Sequence, residues 1–295
     1  VKIAVTGARG MLGNDVCRVL ADTRELVPFD IDDFDVVDSI RTLQKISECH
    51  PDLLIHCAAY TDVDGAEREP RKAFEVNEGG TKNVALVSRQ LEIPLVYIST
   101  DYVFDGKKDS PYLESDPPNP LNIYGKSKLA GEQWVRKILT QFFVVRTSWL
   151  YGKNGWSFIH KILRASASGA CSPYRELRVV DDQLGSPTYT VDLARALDLL
   201  VDSTDYGTYH IANTGFCSWY QLAQKTFEIL GREVKLSAVT SASFPEMANR
   251  PRFSALANST WTMVFGRQLR SWEAALRDFL QSTSIAYELQ SESGD

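Results

Sequence analysis

The stretch "NIYGKSKLAGE" (122–132) sets Tyr124 four residues ahead of Lys128. On a helix, residues i and i+4 share a face, so a phenol and an ammonium would be neighbours. A free tyrosine has a pKa of roughly 10 and holds its proton too tightly to exchange near neutrality. A nearby ammonium stabilises the phenolate and lowers that value. The pair suits the transfer of a proton to a new alkoxide, the step that accompanies hydride delivery to a ketone. A hydroxyl from another element should complete the oxygen-binding site. "YISTDYVFDG" (97–106) offers one, because Ser99 and Thr100 stand where an apolar run ends. Taken singly, each residue is equally well explained by packing: Tyr124 as a half-buried aromatic, Thr100 as the cap of a turn. Their weight comes from what accompanies them.

What accompanies them is a glycine loop. "VTGARGMLG" follows the first strand-like run and opens a helix, with Gly7, Gly10 and Gly13 spaced by three. Early glycines permit a tight turn and close approach of backbone to a pyrophosphate, and the helix N-terminus points unpaired N–H groups at that anion. Asp30 closes the second strand, where a carboxylate can accept bonds from an adenosine ribose and repel a 2′-phosphate, which favours NADH. Arg9, inside the loop, can bind that phosphate instead, so NADPH and NADH both stay open.

The elements that must position these groups alternate over the first half. Strand-like runs "KIAVTG", "LVPFD", "LLIHCAA", "LVYIST" and "FFVVRTSW" are separated by amphipathic stretches such as "MLGNDVCRVLAD" and "RKAFEVNEGGTKNVALVSRQL". Continuous apolar runs suit strands buried on both faces of a parallel sheet. The alternation predicts an α/β fold with a doubly wound parallel sheet of Rossmann type. We expect a dinucleotide-binding domain over 1–150 and a smaller C-terminal, mainly substrate-binding domain over 151–285, with some segments returning to the first. Helices are expected at 190–202 and 218–230, a last one in "SWEAALRDFL" from a Ser cap, and a frayed tail over 286–295.

Bulk properties exclude several classes. The 295 residues carry a formal net charge of -6, so no basic surface invites a nucleic-acid polymer. No run is long and apolar enough for a membrane. The five cysteines, at 17, 49, 57, 171 and 217, and the four histidines are scattered without metal-type spacing. We therefore expect a cytoplasmic chain with reduced thiols and no metal.

Together, "TGxxGxxG", the strand-end "STD" and "YGKSK" resemble the extended short-chain dehydrogenase/reductase superfamily. "HCAAYTDVDGAE", "YISTDYVFDG", "PLNIYGKSKLAGE", "VVRTSWLYG" and "DDQLGSPTYT" further resemble the dTDP-4-dehydrorhamnose reductase family, in order through residue 190, with "ANRPRFSAL" a weaker late block. The resemblance implies a Rossmann domain with a small substrate domain. It implies NAD(P)H-dependent reduction of the C4 ketone of a dTDP-6-deoxy-4-hexulose, giving dTDP-L-rhamnose. It makes Tyr124 the proton donor, Lys128 its tuner and a ribose contact, and Thr100 the ligand of the reacting oxygen. Asp101 and Trp149 match sugar contacts; Gly10, Met11 and Leu12 the pyrophosphate loop; Asp35 and Val36 the adenine side; Ala59, Tyr60 and Thr61 the stretch along the cofactor.

Departures are His56 and Cys57, where the family usually has Asn and Ala, and Ala257, where an Asp is expected. Asp15 stands where some members place a Glu that helps hold magnesium between subunits, so the sequence gives magnesium no support while leaving a homodimer open. A sugar dehydratase on the same fold would need Thr-Asp-Glu, and this chain reads Thr100-Asp101-Tyr102. An epimerase would usually carry a different strand-end pattern. The remaining rival is a non-catalytic regulator resembling the methionine adenosyltransferase beta subunit.

Overall fold

Five apolar runs of the first half become five parallel strands, interleaved with helices, in a computed structural model that describes residues 1–167, 176–244 and 248–282. The tail over 286–295 and Cys171 lie outside the described residues. In chain order the first half holds β1 (Lys2–Thr6), α1 (Met11–Leu20), β2 (Glu25–Phe29), α2 (Ser39–Cys49), β3 (Leu53–His56), α3 (Val63–Arg68) and α4 (Pro70–Phe74). A π-helical turn (Glu75–Gly80) joins α4 to α5 (Thr81–Leu91), followed by β4 (Leu95–Thr100), α6 (Ile123–Ile138) and β5 (Phe142–Thr147).

The second half is built of shorter pieces: β6 (Leu150–Tyr151), α7 (Phe158–Ala167), β7 (Leu177–Val180), β8 (Leu184–Gly185) and β9 (Thr188–Tyr189). Then come α8 (Thr190–Val201), β10 (Gly207–His210), β11 (Cys217–Ser218), α9 (Trp219–Leu230), β12 (Leu236–Val239), α10 (Ser259–Phe265) and α11 (Trp272–Ser282).

The main sheet runs β10-β5-β4-β3-β1-β2, parallel throughout. Ala4 pairs with Val27 on one side and Leu54 on the other, and Ile3, Ala4, Val5, Leu54 and Ile55 are fully buried. Apolar residues on both faces of a strand require helices on both faces of the sheet. On one face Val5 and Ile55 pack with Leu12 and Val16 of α1 and Leu193 and Leu197 of α8. On the other, Ala4 and Leu54 pack with Ile46 of α2, Val84 of α5 and Val135 of α6.

The sixth strand, β10, comes from beyond residue 150 and lies beside β5, Tyr209 opposite Val145. A separate apolar cluster of Tyr151, Ile159, Ile162, Phe227, Trp272 and Phe279 holds α7, α9 and α11 together. Local signals set the helix ends. Asp38 accepts N–H bonds from Ile40 and Arg41 to cap α2, and Ser218 forms a reciprocal capping box with Gln221 at α9. Ser271 accepts from the Ala274 N–H at the start of α11.

The order reverses between β1 and β3: the chain moves outward from β1 to β2, then returns past β1 to β3, β4 and β5. In open parallel sheets a crevice forms at the carboxyl ends of the strands at such a reversal.

Candidate active site

At that reversal lies a cleft of about 710 Å³. Gly7 adopts φ +69°, and a Cβ there would stand 2.6 Å from the Ala58 nitrogen, so only glycine lets the turn after β1 pass the end of β3 this closely. A Cβ on Gly13 would fall 2.1 Å from the Gly7 oxygen, so glycine is also what allows α1 to start against that turn. Gly10 is the N-cap of α1, no side chain caps it, and the first turn holds no acid. The N–H groups of Met11 and Leu12 thus open a helix whose positive dipole end faces the cleft with no acid in its own first turn. These features fit a dinucleotide pyrophosphate, with the Gly7, Gly10 and Gly13 backbone as its cradle.

Every residue expected at the site lines this cleft. Gly7, Gly10, Met11, Leu12 and Gly13 form its floor, and Asp30, Asp35 and Val36 the wall beyond β2. Ala59, Tyr60 and Thr61 follow β3; Thr100 and Asp101 end β4; Tyr124 and Lys128 face in from α6; Trp149 follows β5.

Lys128 and Tyr124 share one face of α6, as their spacing requires, but their electrostatics depart from the sequence expectation. Desolvation pushes the Tyr124 phenol up to about 12; the Thr100 hydroxyl pulls it back and the Asp101 carboxylate raises it further. Lys128 is not among the groups that shift it. The Lys128 ammonium sits instead 4.2 Å above the Tyr97 ring, and burial pushes it down to about 7 against the pull of Glu132 and Cys57. The expected lowering of the phenol by Lys128 is therefore corrected: loss of solvent sets its direction and the Asp101 carboxylate adds to it. A raised phenol stays protonated at neutral pH but gives up its proton less readily, so transfer depends on the charge that develops on the bound ketone.

Thr100 does two jobs at once. Its hydroxyl caps the turn that follows β4, accepting from the Tyr102 N–H at 3.1 Å, and donates to Asp101 Oδ1 at 3.1 Å. Asp101 is 3% exposed, and burial lifts its carboxyl to about 6, against the hydroxyls of Ser254, Thr100 and Ser148. Trp149 holds a left-handed φ of +47°, costly for a bulky residue, and stacks on Trp219 with ring centroids 3.4 Å apart and planes 4° apart. Both indoles line the cleft.

Several positioning residues escape sequence reasoning. Asn77, in the π-helical turn, accepts from the Tyr60 N–H at 2.8 Å and donates to the Tyr60 carbonyl at 3.0 Å and to Ser127 Oγ at 3.0 Å. It ties the stretch along the cleft to α6; the "NEGG" interruption of an amphipathic helix is its sequence signal. Glu132, fully buried, accepts from Ser99 at 2.6 Å and from Arg146 at 2.9 and 2.8 Å. An arginine inside the apolar run "FFVVRT" demands such a partner. Trp219 carries no signal, because the contact that makes it useful is tertiary.

Of the two departures, His56 is buried, whereas Cys57 is half-buried and lines the cleft. His56 bonds Thr6 Oγ1 at 2.7 Å and Thr81 Oγ1 at 3.2 Å, and burial lowers it to about 3. Asp15 is buried, bonded to Thr190 Oγ1 at 2.5 Å and paired with Arg18 at 2.8 Å. Among the described residues no cluster of His, Cys, Asp or Glu is arranged to hold a metal ion, and no helix is long and apolar enough to cross a membrane.

A doubly wound sheet, a glycine turn at its reversal and a Thr/Tyr/Lys set at one mouth define the fold of an extended short-chain dehydrogenase/reductase. More narrowly, the chain belongs to the family described as RmlD substrate binding domain, whose model matches residues 1–285. It is 39% identical over 286 residues to the spore coat polysaccharide biosynthesis protein SpsK of Bacillus subtilis, covering 97% of this chain and 99% of that one. It is 38% identical to the dTDP-4-dehydrorhamnose reductase of Streptomyces griseus, covering 93% and 91%. Among solved structures, the dTDP-4-dehydrorhamnose reductase of Bacillus anthracis in complex with NADP superposes with a TM-score of 0.90 at 40% identity, covering 96% of this chain and 99% of that one.

Proposed function

We propose that this chain is an NAD(P)H-dependent reductase of the C4 ketone of a dTDP-6-deoxy-4-hexulose, giving dTDP-L-rhamnose, with Tyr124 as proton donor. The observation that carries the reading is convergence: the hydroxyls of Thr100 and Tyr124 and the Lys128 ammonium line the same cleft as the uncapped N-terminus of α1. When bound, the reduced dinucleotide supplies the hydride. Thr100, by turning its hydroxyl proton from Asp101 to the ketone oxygen, would orient that oxygen, and Tyr124 would give its proton to it as negative charge develops there. Lys128, one turn along α6, would bond the nicotinamide ribose and face the phenolate once it forms. Trp149 and Trp219 lend the sugar side of the cleft apolar edges, and Asp101 engages a sugar hydroxyl.

The dehydratase alternative lacks its second carboxylate, since Tyr102 occupies that place and meets Tyr124 edge-on at 6.0 Å. An absorbance assay at the reduced-nicotinamide band, with a dTDP-4-keto-6-deoxy sugar and each coenzyme in turn, tests the proposal. Turnover is expected. Tight dinucleotide binding without turnover would overturn it in favour of a regulatory role.

A further inference from the structure

One small ladder in the second half of the chain grips the Trp149 indole. β8 and β11 pair antiparallel, Cys217 opposite Gly185 and Ser218 opposite Leu184. Trp219 follows at once as the first residue of α9, fixed in place by the Ser218 capping box. The ladder therefore brings two residues to Trp149. On one strand, a Cβ at Gly185 would fall 2.3 Å from Trp149 Cε2 and 2.5 Å from its Nε1, so any side chain there would have to displace the indole. From the other, Trp219 stacks on the same ring. Trp219 is itself held: its Nε1 donates to the buried Gln183 Oε1 at 3.2 Å, and the Phe158 ring of α7 leans on it with centroids 4.7 Å apart. A bulky residue keeps the left-handed backbone of Trp149 only where its surroundings impose it. Trp149 also stands two residues beyond Thr147, which pairs with Thr100 in the main sheet. A ring gripped by the second half of the chain is thus held in register with the hydroxyl at the end of β4.

We propose that Trp219 is a positioning residue of the reaction: stacked on Trp149, it fixes where the sugar ring can lie and so how the ketone meets Thr100 and Tyr124. This role rests on the reductase reading and on Trp149 bordering the sugar. It concerns the sugar alone, because Trp219, Gln183 and Gly185 belong neither to the glycine turn nor to the wall beyond β2. Misplacing reacting atoms by about 1 Å costs on the order of a hundredfold in rate. The aromatic pair by itself is worth about twofold to tenfold. Loss of Trp219 should therefore cost between about tenfold and a hundredfold in kcat/KM for the sugar nucleotide.

Steady-state kinetics with a dTDP-4-keto-6-deoxy sugar, beside calorimetric titration of the dinucleotide, tests this in the full chain. Trp219→Ala is expected to show that loss while dinucleotide affinity stays within about twofold. Trp219→Phe keeps a ring to stack and should recover kcat/KM to within about threefold of the parent. Gly185→Ala pushes the same indole from the other strand of the ladder and should reproduce the loss. Two indoles stacked this closely couple their transitions, so the parent should show a paired far-ultraviolet circular-dichroism band that Trp219→Ala abolishes. A parent without that band would overturn the proposal, even where Trp219→Ala fails to fold. So would unchanged kcat/KM in Trp219→Ala or Gly185→Ala, or an equal loss of dinucleotide affinity, which marks general damage to the fold. A parent that binds dinucleotide but never turns over would instead refute the reductase reading.

Discussion

At the scale of single residues, the chemistry depends on how three groups share one mouth of the cleft. Lys128, pushed down to about 7 by burial, loses its ammonium as pH rises through that value. A rate that requires the ammonium should therefore fall on the alkaline side of about 7, and a pH profile of turnover checks it; a flat profile to pH 9 would remove Lys128 from the rate. Lys128→Met should weaken dinucleotide binding and turnover together, because one ammonium serves two bonds, and calorimetry beside the absorbance assay separates the two effects. The Tyr124/Lys128 spacing and the strand-end Thr100 were legible in the sequence because they are local: one helix face and one strand end. The phenol's raised pKa was not, since it reflects walls supplied by elements distant in sequence. Trp219 was illegible for the same reason.

At the scale of elements, the strands were legible because each is a short apolar run bounded by turns, and the turn after β1 because its glycines have a single steric purpose. Harder to read was a continuous amphipathic stretch, 71–91, divided by a π-helical turn that delivers Asn77 to Tyr60 and is marked in the sequence only by "NEGG". A one-residue widening of a helix leaves the apolar pattern nearly unchanged. The pairing of Glu132 on α6 with Arg146 on β5 makes a sharper prediction. Both are at most 2% exposed, and removing one partner strands a buried charge. Glu132→Ala should destabilise the fold by about 3–5 kcal/mol, measured by urea denaturation. Replacing both residues with methionine should cost much less. An equal loss in the single and double variants would show that the pair does not act as a unit.

Across the whole molecule, the two halves share one sheet through β10 and a common core through α8, and the folded chain buries titratable groups that respond to acid. His56 and His210 are each lowered to about 3, mainly by burial, from an unfolded value near 6.5. Between those values the unfolded chain binds more protons, so stability falls as pH drops from about 6.5 towards 3. Asp101, raised to about 6, binds its proton earlier in the folded state and acts oppositely between its unfolded value of roughly 4 and 6. His160 is lowered by burial as well and acts with the other two histidines, so together they outweigh the one raised carboxyl and stability falls towards acid. Thermal melts from pH 7 to 4 should show a falling midpoint, flattened in a His56→Asn variant that still folds; unchanged melts would contradict the burial of both rings as neutral groups.

The account turns on a phenol that arrives protonated and gives up its proton as the ketone is reduced. Its most direct measurement is the single-turnover decay of reduced-nicotinamide absorbance with Tyr124→Phe, alongside the dinucleotide affinity of the same variant. The account predicts affinity within about twofold of the parent and a rate lower by roughly two to four orders of magnitude. A variant that binds dinucleotide normally and keeps most of its rate would contradict it.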